Sequence, residues 1–298
     1  MIRRQAVFFA ILLTAGFLAA DAQEHIVSVK TEEVRVDILV TDNGRPVANL
    51  GTADFEILDN GIRQEIQYAK PQRQMPLSAT LVFDMSRSVA GELLSHLREA
   101  AKGFLSDLNK EDSVALITFN HTVVLRSPLM REIERVKLAL DQTQSFGNSS
   151  LIDASYAGLV LAESGAGAEL PLVIIFSDGL DTFSWLTEEA VLETAKRNDV
   201  VVYAVSTGHL PKKSFLSDLT ELTGGSLFEV ETIENLPAVF LRILDEFRQR
   251  YMVTYIPRGV SQSGWHKLEV RVKNRAAKIR TRPGYMRNSP AIGAEDQH

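Results

Sequence analysis

Asp84, Ser86 and Ser88 are spaced i, i+2 and i+4 at the point where an apolar run ends. The run before them, residues 79–83, has the composition of a buried parallel strand. One carboxylate and two hydroxyls are hard oxygen donors, which suit Mg²⁺, Mn²⁺ or Ca²⁺ better than soft metals. Ligands bind beyond the carboxyl ends of such strands. The pattern therefore indicates a divalent-cation site, and the competing interpretation is a polar turn in which Asp84 or Ser86 caps the next helix.

Two further polar stretches belong to the same alternating pattern of strands and helices. Residues 147–154 form a polar loop that opens a helix, and residues 176–181 follow the apolar strand 172–175. Because the carboxyl ends of parallel strands share one edge of a sheet, the three loops can meet there. Over residues 76–250, their order, spacing and context resemble the metal-ion-dependent adhesion site of the von Willebrand factor A domain family.

That resemblance implies a set of ligands, position by position. The first loop supplies Asp84, Ser86 and Ser88, and the third loop supplies Asp178. In the second loop the family usually has a threonine, whereas this chain has Ser149, which keeps the hydroxyl. The predicted metal is Mg²⁺, with Mn²⁺ or Ca²⁺ as alternatives.

Three hydroxyls and one or two carboxylates carry little charge for tight Mg²⁺ binding, and they leave a coordination position open. We expect a Glu or Asp of a protein partner to complete the shell, so that binding depends on the metal. Asp153 and Asp181 are expected beside the ligands rather than among them. Trp185 and Phe183 either offer an apolar contact next to the metal or pack into the core. Arg87 is expected to be a solvated charge.

The composition limits the classes of function. The chain has 298 residues, of which 45% are hydrophobic and 23% charged, as in an ordinary globular protein. A net charge of −6 and a pI near 5.6 argue against nucleic-acid binding, which needs a basic surface. Because the chain has no cysteine, disulfides, zinc–thiolate sites and cysteine nucleophiles are excluded.

The first residues have the form of a secretory signal peptide. Arg3 and Arg4 precede the apolar stretch 6–19, and small residues follow it at Ala20 and Ala22. We expect cleavage before residue 23, export to the periplasm or the medium, and no stable membrane span afterwards. The alternative is an uncleaved membrane anchor, for which the stretch is short.

Short strand-like segments flank the α/β region. Apolar residues alternate with other residues along 34–40, which predicts a half-buried strand. Asp59-Asn60-Gly61 predicts a hairpin turn between residues 55–58 and 62–66. At the other end, 251–256 and 267–273 are strand-like.

The overall prediction is an α/β fold with a doubly wound, mostly parallel sheet. We expect the two β segments to form one small β-sandwich around the inserted domain, and the alternative is two separate β extensions. Residues 54–61 and 282–285 resemble an exported bacterial subfamily of A-domain proteins first described in Acidobacteria. The predicted segments are a signal peptide (1–22), an N-terminal β segment (23–74), an A domain (75–250), a C-terminal β segment (251–287) and a disordered tail (288–298).

Enzyme motifs are missing from the sequence. It contains no Gly-x-Ser-x-Gly elbow and no glycine-rich phosphate loop ending in Lys-Ser or Lys-Thr. The six histidines lack metal-ligand spacing and are expected at the surface or in loops, with His121 and His209 as the two to check for a base role. We therefore expect a metal-dependent interaction module and no enzyme. The alternatives are a hydrolase and a structural protein with a vestigial metal site.

Overall fold

A computed structural model describes residues 33–164, 170–208, 210–273 and 276–287. The predicted signal peptide and tail, together with His25, His209 and His298, lie outside these residues. Strands and helices are numbered along the chain. The strands are β1 (Val34–Asp42), β2 (Arg45–Pro46), β3 (Phe55–Asp59), β4 (Ile62–Gln64), β5 (Ile66–Pro71), β6 (Leu77–Asp84), β7 (Ser113–Phe119), β8 (Val123–Met130), β9 (Leu170–Ser177), β10 (Val201–Ser206), β11 (Ser226–Glu229), β12 (Tyr251–Tyr255), β13 (Gly264–Val272), β14 (Lys278–Arg280) and β15 (Gly284–Arg287). The helices are α1 (Glu92–Ser106), α2 (Ile133–Asp141), α3 (Leu151–Ser164), α4 (Glu188–Ala195), α5 (Phe215–Leu222) and α6 (Leu236–Arg248).

The central sheet has the strand order β11-β10-β9-β6-β7-β8. Its strands are parallel except for β8, which pairs antiparallel with β7 at the edge. Helices α1, α2 and α6 cover one face, and α3, α4 and α5 cover the other. Because helices cover both faces, β6 and β9 are buried at every position, which explains their continuous apolar runs.

Side chains of β6 alternate between the two layers. Leu81 and Phe83 pack under α1 and α6, whereas Val82 faces α3. Gly158 of α3 lies so close to the sheet that a Cβ there would come within 2.8 Å of Val82 Cγ2. The chain leaving β6 therefore emerges from a tightly packed layer, and its first loop residues start from a fixed position.

The two ends of the chain pair with each other in two further sheets. One has the order β14-β1-β12-β5, with β2 beside β1, and the other has the order β15-β13-β3-β4. Both sheets combine strands that precede the central sheet with strands that follow it. Side chains from both contribute to one hydrophobic cluster that includes Val36, Phe55 and Tyr255.

Three details of these terminal strands differ from the expectation. β1 is buried on both faces around Asp37 and Leu39, because Asp37 is held by polar groups of the neighbouring segments. The strand expected at 62–66 divides at Glu65, and its halves join different sheets. The segment 282–287 ends in a strand, β15, that its Pro-Gly pair concealed.

Arg250 joins the central sheet to β1. Its guanidinium is fully buried and donates to the carbonyl oxygens of Asp37 (3.0 Å) and Gly224 (2.9 Å) and to the Tyr203 hydroxyl (3.3 Å). Since a buried guanidinium needs its hydrogen bonds, these contacts fix the strand that follows α6. Within the described residues, no helix has the length and apolar character needed to cross a membrane.

Candidate functional site

The site begins where β6 and β9 end side by side. Phe83 and Phe176 are partners in the parallel register, so Asp84 and Ser177, the last residues of their strands, are neighbours. The Ser177 hydroxyl donates to Asp84 Oδ2 over 2.8 Å. This contact places the Asp84 carboxylate at the rim of the sheet, where ligands of such folds bind.

Loops on both sides supply the other donors to Asp84. The backbone N–H of Ser86 donates to Oδ1 (2.8 Å), and the Ser149 hydroxyl donates to Oδ2 (3.1 Å). The hydroxyl oxygens of Ser86 and Ser88 lie 3.0 Å apart. The structure therefore brings Asp84, Ser86, Ser88 and Ser149 together, as one cluster of oxygen atoms.

Asp178 lies at the edge of this cluster. It follows Ser177 directly, it is half-buried, and its Oδ1 accepts the N–H of Leu180 over 3.0 Å. Burial raises the pKa of Asp84, and the negative charge of Asp178 raises it further, while hydrogen bonds from Ser86 and Ser177 oppose the shift. The two carboxylates thus repel each other, and no described residue places a positive charge in an ion pair with Asp84.

The donors around Asp84 are neutral. Its side chain is fully buried, and among the described residues no Lys, Arg or His forms an ion pair with it. A buried carboxylate without a counter-charge is costly, and a bound cation relieves that cost. The residues present fit a hard divalent cation, because every donor is a carboxylate or hydroxyl oxygen. No group of three or more His, Asp or Glu side chains suited to a metal occurs in the described parts of the chain, so the cation would depend on the serine hydroxyls.

Backbone hydrogen bonds tie the second loop to the first. The N–H of Phe146 donates to the carbonyl of Met85 (2.8 Å), and that of Arg87 donates to the carbonyl of Gly147 (3.1 Å). Gly147 has φ = +78°, and a Cβ there would lie 2.6 Å from His121 Nδ1. Glycine is therefore required at this turn for both backbone conformation and space. The Arg87 side chain is exposed, as expected.

The third loop is tied to the second by Thr182. Its N–H donates to the carbonyl of Ser149 (2.9 Å), and its hydroxyl accepts the N–H of Ser149 (3.0 Å). Asp181 Oδ1 accepts from the N–H of Ile152 (3.2 Å) and from the Ser184 hydroxyl (2.6 Å). These contacts place Ser149 from both sides, so its hydroxyl is directed at Asp84.

Asp153 and Asp181 have a positioning role in this arrangement. The Asp153 carboxylate accepts the backbone N–H groups of Trp185 and Leu186 at distances between 2.9 and 3.2 Å. Together the two acids hold the third loop against the first turn of α3. The indole of Trp185 is 90% exposed, so its backbone is fixed while its ring faces solvent. Phe183 is also exposed and is not a core residue.

Two site residues were missed by the sequence prediction, and one histidine was misplaced. Ser177 and Thr182 both contact predicted ligands, and the position of Ser177 at the end of an apolar strand, directly before Asp178, was the available signal. His266 was expected at the surface or in a loop, but it is fully buried in β13, with Nδ1 2.7 Å from Asp59 Oδ1. The alternation of apolar and polar residues conceals such a residue, because its partner is distant in sequence.

Comparison with known proteins agrees with this geometry. The family model described as the von Willebrand factor type A domain matches residues 80–242, more than half of the chain. An uncharacterised protein of Synechocystis is 25% identical over 109 residues, which cover 36% of this chain and 26% of that protein. A UPF0353 protein of Mycolicibacterium gilvum is 27% identical over 220 residues, covering 63% and 64%. The chain thus spans about a quarter and just under two thirds of the lengths of these two relatives.

Solved structures show the same fold. A von Willebrand factor type A protein from Catenulispora acidiphila aligns with a TM-score of 0.53 and 11% identity, over 81% of this chain and 74% of that one. Proximal thread matrix protein 1 from the mussel byssus, with a zinc-occupied MIDAS motif, aligns with a TM-score of 0.51 and 16% identity, over 62% and 48%. At these identities the likeness concerns the fold alone. From its sequence and its fold, the chain belongs to the von Willebrand factor type A domain family.

Proposed function

We propose that this chain is an exported binding module that holds a divalent cation at Asp84 and uses it to bind a carboxylate of a protein partner. The observation that carries the proposal is the buried Asp84 carboxylate, which accepts from two hydroxyls and one backbone amide and forms no ion pair with any described residue. Burial is the main cause that raises the pKa of this carboxyl, because it penalises the charged form.

The residues that would hold the cation are those predicted from the sequence. Ser86, Ser88 and Ser149 supply hydroxyl oxygens, while Asp84 and Asp178 supply negative charge. Bound there, a divalent cation such as Mg²⁺ supplies positive charge and an open coordination position for an incoming carboxylate oxygen. The zinc-occupied motif of the mussel protein supports a metal at this position, although zinc is not the ion that these hard donors favour.

The terminal segments complete the proposed architecture. We propose that residues 23–74 and 251–287 form a β-sandwich that carries the domain 75–250, which the pairing of both chain ends and their shared hydrophobic cluster support. Export through a cleaved signal peptide at 1–22 remains part of the proposal.

A selection of peptides tests the function directly. A library of random displayed peptides is selected on the immobilised protein in Mg²⁺ and eluted with a chelator. We expect the selected peptides to share an Asp or Glu, and to lose binding when that residue is changed to Asn or Gln. Asp84→Asn should retain none of them, because the cation is lost.

The matched control is Asp107→Asn, which removes an exposed carboxylate at the far end of α1. This variant should bind as the wild type does. Binding that survives the chelator, or that Asp84→Asn retains, would overturn the proposed function and favour a vestigial site.

A further inference from the structure

Large apolar side chains are exposed around the candidate metal site. Of the twelve such side chains in the described residues, five belong to the second and third loops. These five are Phe146, Leu180, Phe183, Trp185 and Leu186. Single exposed apolar residues are ordinary on a protein surface, but a group of them on neighbouring loops marks a binding surface.

We use the name aromatic rim for Phe146 of the second loop, Phe183 and Trp185 of the third loop, and His121, whose ring contacts both phenylalanines. The ring of His121 lies between the two phenylalanines, with centroid distances of 5.7 Å to Phe146 and 6.1 Å to Phe183, in edge-to-face geometry. Phe146 is bonded through its N–H to the first metal loop, so the rim adjoins the cluster around Asp84. Edge-to-face contacts stabilise the rings in place.

Trp185 is presented on a fixed backbone. Its N–H is held by both oxygens of Asp153, at 3.2 and 3.0 Å, while 90% of the residue is exposed. An exposed indole on a fixed backbone adds no stability to the protein by itself. It does lower the entropy that a partner must overcome to bind there, and tryptophan is the residue type most enriched among binding hot spots.

The charges of the three loops limit the kind of partner. The loops together with the first turns of α3 and α4, residues 84–91, 144–153 and 178–189, contain six acidic residues and one basic residue, Arg87. A second copy of this face would bring like charges together, and an anionic polymer would be repelled away from the cation. The complementary partner is a segment of another protein that is neutral or basic except for the one acid at the cation.

We propose that the aromatic rim receives a large apolar side chain that lies next to the acidic residue in the partner. This inference rests on the proposed function and adds the sequence preference of the partner. The acid would provide dependence on the metal, and the apolar neighbour, packed against Trp185 and the phenylalanines, would provide much of the affinity.

Synthetic peptides test the preference. Each carries one central Glu, and its neighbours are Phe, Leu, Ala, Ser or Lys. We expect the wild-type protein in Mg²⁺ to bind the Phe and Leu peptides about tenfold more tightly than the Ser peptide. Trp185→Ser should reduce that ratio towards one, while the dependence on Glu and on Mg²⁺ remains.

A matched pair of leucines controls for the loss of apolar surface. Leu180, on the third loop, is 64% exposed, and Leu138, on α2, is 61% exposed. Leu180→Ser should weaken binding of the Phe peptide, whereas Leu138→Ser should not. Intrinsic fluorescence gives a second readout, because Trp185 emission should shift to shorter wavelength with the Phe peptide and not with Mg²⁺ alone.

The outcomes separate the two proposals. Metal-dependent binding of all Glu peptides with equal affinity, unaffected by Trp185→Ser, would overturn the aromatic rim and leave the proposed function intact. A preference for Lys neighbours, or self-association of the protein in Mg²⁺ through this face, would also overturn it. Binding of no peptide in a metal-dependent manner would overturn both.

Discussion

Asp59 and Asp84 have no exposed surface in the described part of the chain, and their surroundings differ. Asp59 is the last residue of β3 in one of the terminal sheets, and Asp84 lies at the rim of the central sheet. Burial in a protein penalises a carboxylate in either place unless hydrogen bonds or positive charge compensate. The two sites compensate by different means.

Asp59 is surrounded by side chains that form hydrogen bonds with it. His266 faces Oδ1 at 2.7 Å, and the hydroxyls of Tyr255 and Tyr285 both donate to Oδ2 over 2.8 Å. Burial raises the pKa of both phenols, which therefore keep the protons that they donate. The three donors come from β12, β13 and β15, so this cluster ties strands together.

Asp84 has neutral donors only, and Asp178 adds repulsion. The comparison shows two ways in which a buried carboxylate can be surrounded. Asp59 has polar partners on both of its oxygens, including a histidine, whereas the described residues leave Asp84 without a positive charge. The missing positive charge lowers the stability of the metal-free protein. Under the proposed function, the bound cation would supply that charge.

The largest expected effect comes from the same substitution at both positions. Asp59→Asn places an amide N–H₂ among groups that donate hydrogen bonds, and it should lower the free energy of unfolding by about 2–4 kcal/mol. Asp84→Asn removes an uncompensated charge, and in a chelator it should leave stability within about 1 kcal/mol of the wild type or raise it. Denaturant unfolding of both variants measures this. Equal decreases in the free energy of unfolding of the two variants would contradict the difference between Asp59 and Asp84.

Divalent metal should stabilise the protein through the site at Asp84 and not through the cluster around Asp59. A cation at a hundred times its dissociation constant stabilises the folded state by about 2.7 kcal/mol, and this amount should raise the melting temperature by several degrees. The rise is expected for the wild type and should be absent from Asp84→Asn. A wild-type melting temperature that changes with neither Mg²⁺ nor Mn²⁺ would contradict the account.

The pH dependence of the metal-free protein should sharpen the contrast. Because the pKa of Asp84 is raised on folding, the folded state binds this proton more tightly than the unfolded state. As the pH rises through the unfolded and then the folded pKa, the free energy of unfolding should fall by about 1.4 kcal/mol per unit of pKa difference. At pH values below both pKa values, Asp84 is protonated in both states and causes no such decrease in the free energy of unfolding. Unfolding of the wild type and of Asp84→Asn at a series of pH values isolates the effect, and parallel curves would contradict it.

The smallest effect concerns Ser261, which extends the Asp59 cluster. Its hydroxyl oxygen lies 3.1 Å from His266 Nε2, so Ser261, His266 and Asp59 stand in the order of a hydrolytic triad. Since Asp59 is also held by two phenols, we expect a structural role. Ser261→Ala should cost about 1 kcal/mol or less, and a fluorophosphonate probe should not label the wild type. Labelling at Ser261 would favour the hydrolase alternative.

The sequence was most informative where neighbouring residues determine the structure. The apolar runs of β6 and β9 and the turn at Asn60-Gly61, where both residues have positive φ, were predictable from local pattern. The predicted ligands from Asp84 to Ser149 do meet, because parallel strands bring their ends to one edge.

Contacts between distant residues were not predictable in the same way. Ser177 is adjacent to Asp84 only through the register of two strands, and the partners of His266 come from strands far apart in the chain. The division of 62–66 between two sheets likewise depends on the pairing of β5 with β12, near the other end of the chain, whereas β4 pairs with its sequence neighbour β3. One sequence considered by itself carries no direct signal for such pairs.

The most direct test of the central claim is a crystal structure of the protein grown in Mn²⁺, with anomalous scattering used to locate the metal. The account predicts one manganese peak per molecule beside Asp84, in contact with the hydroxyl oxygens of Ser86, Ser88 and Ser149. The peak should be absent from Asp84→Asn crystals. A wild-type map with no peak at these oxygens, or with manganese bound elsewhere, would contradict the account.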